Sequence, residues 1–137
     1  LRLVQLALQG RGLFVLPTTS PTDFDPDEAK KSVRRIAENG SRVYLTHYGE
    51  ITEVAEAASQ LLQHLEFSGD LLDEAIAREE SGRPLVEYCE RALRAHYQRV
   101  FEKRGLQLDE AGWKLLDMDL ELNAQGIALV AEKRRAS

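Results

Sequence analysis

Few residues in this chain could do chemistry: three histidines, one cysteine and a short run of spaced aspartates. His47 follows the apolar run Val43-Tyr44-Leu45 and Thr46, and Tyr48-Gly49 leads away from it. A side chain at the end of a strand stands at the sheet edge, where sites in α/β proteins gather. A neutral imidazole placed there can offer a nitrogen to a metal ion. Position alone favours an ordinary loop histidine, with Gly49 serving as a backbone hinge. His64 and His96 lie among apolar positions on predicted helices, and they approach each other only if those helices pair. Helix packing or solvent exposure accounts for both. Neither belongs to an H-x-x-x-H or H-E-x-x-H pair, so no zinc site on a helix is expected.

The other candidates reduce to structural roles. Asp23, Asp25 and Asp27 alternate with Phe24 and Pro26, but the glycine and glutamate of a calcium-binding loop are missing at the required spacing. Helix initiation explains these acids. Thr18, Thr19 and Ser20 lie between prolines with no histidine nearby in sequence to activate them, and there is no G-x-S-x-G elbow. Gly10 and Gly12 mark a turn and do not make a phosphate-binding loop. Cys89 falls on the apolar face of its helix by period, which predicts inert packing.

Composition narrows the class. The 137 residues suit about one domain. A net charge of −5, with basic residues scattered, excludes the basic stripe that a nucleic-acid partner needs. A single cysteine forbids an intrachain disulfide and points to a reducing, cytoplasmic setting. No apolar run is long enough to span a bilayer, so no membrane partner is expected.

The elements that must position these residues change character along the chain. Leu13-Phe14-Val15-Leu16 reads as a buried strand ended by Pro17, and residues 17–22 as a proline-bounded loop. Residues 1–8 leave strand and helix end undecided. Asp25-Pro26-Asp27-Glu28 writes a helix start, with Ala29, Val33, Ile36 and Ala37 as the apolar face. Asn39-Gly40 stops that helix, with Gly40 suited to a left-handed cap. Val43-Tyr44-Leu45 is a second strand, so strand, helix and strand form a crossover feeding one sheet. From Glu50 the pattern is helical: Val54 to Ile76, with a kink or break expected at Ser68-Gly69, then Leu85 to Phe101, then a helix capped by Asp109. The short connections predict antiparallel neighbours.

The run from Pro17-Thr18-Thr19-Ser20-Pro21-Thr22-Asp23-Phe24-Asp25-Pro26, through an amphipathic helix, to Val43-Tyr44-Leu45-Thr46-His47-Tyr48-Gly49 resembles the last third of metallo-β-lactamase-fold hydrolases. There a strand delivers a T-H-[FY]-G segment whose histidine is the final metal ligand, and His47 matches it. Asp117-Met118-Asp119-Leu120-Glu121-Leu122-Asn123-Ala124-Gln125-Gly126 is similar to a closing helix of some members. The likeness covers about residues 12–135.

The resemblance implies an α+β chain, mostly helical, that forms the C-terminal part of a four-layer αβ/βα sandwich. Residues 1–49 would end the sandwich and residues 50–137 would form a three-helix C-terminal region. It implies a binuclear site, zinc by preference, whose bound water loses a proton and attacks an ester, thioester or amide-like small molecule. The family's H-x-H-x-D-H segment is absent from this chain. No catalytic residue therefore lies within it, His47 is its one metal ligand, and the metal is expected to be absent or weakly bound. It is expected to dock on an N-terminal half or to form a homo-oligomer. The rival reading is a non-catalytic helical interaction or dimerisation module.

Overall fold

A computed structural model describes residues 3–7, 13–17, 24–45 and 49–137. Its elements in chain order are β1 (Leu3–Ala7), β2 (Leu13–Pro17), α1 (Pro26–Asn39), β3 (Val43–Leu45), β4 (Gly49–Ile51), α2 (Val54–Ala77), α3 (Arg83–Lys103) and α4 (Glu110–Ala136). The chain is thus mostly helical with a small β component, as an α+β class requires. It divides into two compact units, and the division falls within α2 between Gly69 and Asp70.

The first unit holds the strands, and here the expected crossover is corrected. β2 and β3 do not share a sheet. β1 pairs antiparallel with β2, from Leu3 against Pro17 to Ala7 against Leu13, and β3 pairs antiparallel with β4. Local hairpins win over the crossover because each strand has an extended neighbour only a few residues away, which keeps the cost of loop closure low. β4 was missed because Gly-Glu-Ile is too short to show alternation. Phe14, Val15 and Leu16 are consecutive and point to alternate faces, yet all three are fully buried. This strand is therefore covered on both faces, as its continuous apolar run predicts.

Helix α1 starts as its sequence dictates. Asp25 sits in extended backbone, and its carboxylate accepts from the N–H groups of Asp27 (2.9 Å) and Glu28 (3.1 Å). Its end differs from expectation. Gly40 is extended, with φ −114°, and its N–H donates to the Ile36 carbonyl at 2.8 Å. A side chain is disfavoured there by space: an added Cβ would lie 3.0 Å from the Ile36 carbonyl oxygen. Of the kink or break expected at Ser68-Gly69, the break is absent: α2 runs through as one helix. Gly69 faces Pro26, where an added Cβ would make ordinary contact with the ring at 3.5 Å, so space does not require a glycine there.

In the second unit α3 and α4 form an antiparallel helical hairpin. Gly82 N–H reaches Glu132 at 2.6 Å, Arg94 pairs with Asp117, and Phe101 meets Trp113 edge to face at 5.9 Å. α3 closes with Gly105 at φ +67°, its N–H on the Glu102 carbonyl (2.9 Å) and the Leu106 N–H on the Phe101 carbonyl (2.9 Å). This reciprocal pair satisfies carbonyls that the helix end would leave open. Asp109 then caps α4, accepting from the Gly112 N–H at 2.8 Å. Leu85, Cys89, Leu93, Tyr97 and Phe101 on α3, and Leu116, Leu120, Ala124, Ile127 and Ala131 on α4, are buried.

Gly105→Ala is expected to cost about 1 kcal/mol of stability, because a Cβ disfavours the left-handed region by that amount. Urea unfolding of the two proteins measures the difference, and an unchanged midpoint would remove Gly105 from the account of the turn.

Candidate functional site

His47 lies outside the described residues, together with Thr46 and Tyr48. Its flanks are described. Leu45 and Gly49 are Cα partners in the β3–β4 ladder, followed outward by Tyr44 with Glu50 and Val43 with Ile51. Opposed residues of an antiparallel pair stand roughly 4.5–5.5 Å apart. Both ends of the three-residue segment holding His47 are therefore held at one end of a hairpin. The hairpin is anchored by Ile51, which is buried, and by an Arg42–Glu50 ion pair at 3.4 Å.

Where the hairpin leaves α1 there is a shallow, open depression of about 450 Å³, lined by Arg35, Ile36, Asn39, Arg42 and Tyr44 among others. Ile36 and Tyr44 are exposed there. None of the residues lining it carries a carboxylate, imidazole or thiol, and the exposed Tyr44 phenol is its one weakly acidic side chain.

The remaining histidines fall in different units. His64, in the first, is 1% exposed, and its ring meets Phe14 of β2 at a tilted 5.7 Å. His96, in the second, packs edge to face with Tyr97 at 5.2 Å. Burial, followed by the positive charges of Arg99 and Lys103, lowers the His96 pKa to about 4. Both read as packing histidines. Among the described residues no group of three or more histidine, cysteine, aspartate or glutamate side chains could hold a metal ion. Asp25 is a cap and Asp27 pairs with Lys30 at 3.4 Å, while Asp23 lies outside the described residues. Cys89 is buried, and desolvation raises its thiol to about 11, so it is no nucleophile at neutral pH.

Sequence reasoning passed over Gln60. It is 5% exposed, its Oε1 accepts from the Val15 N–H of β2 at 2.9 Å, and its Nε2 donates to Glu56 at 2.8 Å. Gln60, His64 and Ser68 recur every four residues and are all buried. That spacing puts them on one face of α2, a signal that was present in the sequence as polar residues breaking an apolar stripe.

The chain matches no protein-family profile, no curated protein and no solved structure. Among the described residues, no helix is long and apolar enough to cross a membrane.

Two outcomes follow. Gln60→Leu leaves the buried Val15 donor without its acceptor and is expected to cost about 1–3 kcal/mol, measurable by urea unfolding; an unchanged stability would mean that the strand finds another acceptor. His96, with its pKa held below the ordinary 6.5, favours the neutral ring in the folded state. Its contribution is complete above pH 6.5 and is lost progressively as pH falls toward 4, because the unfolded chain takes up a proton that the folded one does not. Thermal unfolding of wild type and His96→Gln across that window should show the wild type losing stability relative to the variant as pH falls. A constant gap would contradict the assignment.

Proposed function

We propose that this chain is the C-terminal part of a metallo-β-lactamase-fold, metal-dependent hydrolase, and that His47 is the one ligand it contributes. The observation that carries the reading is the pairing of Leu45 with Gly49, which anchors both flanks of the Thr46-His47-Tyr48 segment at the end of a short strand. The resemblance requires a strand to deliver a histidine in such a place. A second support is the β architecture. The described residues form two separate two-stranded sheets, and an isolated pair of strands is marginal in water. Edges of this kind accept further strands, as an N-terminal half of the sandwich would provide.

Among the described residues no group of side chains could hold a metal ion. One imidazole does not replace the hydration shell of a zinc ion, whereas a catalytic zinc takes about three protein ligands. No reaction step is assigned to this chain. Its part is to position one ligand by means of the hairpin and to form helical surface from Val54 onward. The substrate class that goes with the resemblance is an ester, thioester or amide-like small molecule.

On this reading the 137-residue chain binds zinc no more tightly than a peptide with a single histidine. In the native polypeptide expressed from its gene, His47→Ala lowers metal content and hydrolysis of a generic ester or thioester together, because ligands of one site act as a unit. Elemental analysis beside a rate assay measures both. Equal metal content and equal rates in the variant would leave His47 a plain loop residue.

A further inference from the structure

Apolar side chains occupy two opposite faces of α4. One face is the packed one, with Leu116, Leu120, Ala124, Ile127 and Ala131 fully buried. On the other, Leu115 is 69% exposed, Met118 70%, Leu122 47% and Leu129 37%. With exposed Ala111 and Gln125 these positions advance by four, three, four, three and four residues. That is the a/d alternation of a helix seam, with Leu115, Leu122 and Leu129 at a and Met118 at d. A helix that only covered its own core would carry polar residues there.

We infer that this seam is the contact between two copies of the chain, with the two α4 helices side by side and parallel. The argument is size and charge. Four large apolar side chains make a patch on the order of 400 Å², large enough to mark an interaction surface. Two such patches with the stems that flank them come to roughly 1,000 Å², the lower bound of a specific interface.

Lys114 and Asp119 flank the seam on opposite sides, at the g and e positions. In a parallel pair the g residue of one helix meets the e residue five places on in the other. Lys114 then faces Asp119 of the second copy, and the two-fold axis makes this contact twice. The antiparallel alternative that sets Met118 against Leu122 brings Asp119 against its own copy and forgoes the Lys114 contact, while Glu121 is held by Arg83 at 3.2 Å. The Lys114–Asp119 contact favours the parallel arrangement over this register. Its cost lies at the far end, where Lys133, Arg134 and Arg135 of the last turn come beside their equivalents.

The inference does not depend on the hydrolase reading. Sedimentation equilibrium of the 137-residue chain should show a monomer–dimer equilibrium. Leu122→Glu should weaken association about tenfold or more. Its helical circular dichroism should be retained, since Leu122 is half exposed and lies off the core. Gln125→Cys fixes the orientation: the d position meets its own copy only in the parallel pair, so mild oxidation should give a disulfide-linked dimer. The native Cys89 is fully buried and should contribute no background. Lys114→Glu should weaken the dimer several-fold, more at low salt than at high. A chain monomeric at all concentrations would overturn the inference, as would a dimer indifferent to Leu122→Glu. Failure of Gln125→Cys to cross-link within a confirmed dimer would overturn the parallel arrangement.

Discussion

A strand donor buried beneath a helix organises the first unit. The Val15 N–H cannot reach water, and the Gln60 side chain takes it at 2.9 Å. A buried amide without an acceptor costs about 1–3 kcal/mol, so this bond restricts how α2 lies over β2. One turn further along α2, the His64 ring meets Phe14, the neighbour of Val15. Two polar side chains spaced by four thus lock the helix to consecutive strand residues, one through a hydrogen bond and one through ring packing. Apolar contact alone would tolerate slippage. The directional bond adds register to burial.

Much of the helical part was legible because its signals are local. Asp25 and Asp109 cap the helices they precede, Gly105 adopts the left-handed turn, and Leu85, Cys89, Leu93 and Phe101 of α3 with Leu116, Leu120 and Ile127 of α4 face inward. Each depends only on residues within a turn or two. The β part was legible only strand by strand. Leu13–Leu16 and Val43–Leu45 were evident as short apolar runs, but which strand pairs with which depends on neighbours that carry little alternation, such as Leu3–Ala7 and Gly49–Ile51. Gly40 and Gly69 show a related limit. Sequence suggested a left-handed cap at one and a kink or break at the other, whereas Gly40 is extended with the Ile36 carbonyl 3.0 Å from where a Cβ would stand, and α2 continues through Gly69. A glycine offers conformational freedom without showing whether the fold uses it.

The candidate site divides in the same way. Cys89 and His96 could be set aside from helical period and from neighbouring residues, and burial in the structure agrees. Gln60 escaped notice because its role lies 45 positions away in sequence, at Val15. His47 rests on a resemblance in motif order, on the strand that precedes it and on the paired flanks Leu45 and Gly49. α4 belongs to neither local category. Its two apolar faces answer to two demands, the core of its own unit and a second surface, and the seam spacing separates them.

Whether His47 holds a metal decides the proposed hydrolase function. Anomalous scattering at the zinc edge, from crystals of the native polypeptide grown with zinc, tests that contact directly. The proposed function predicts a zinc ion about 2.0–2.2 Å from an imidazole nitrogen of His47, with further ligands from outside the 137-residue chain. A zinc ion bound without His47, or a fully loaded polypeptide whose His47 ring contacts only protein, would contradict it.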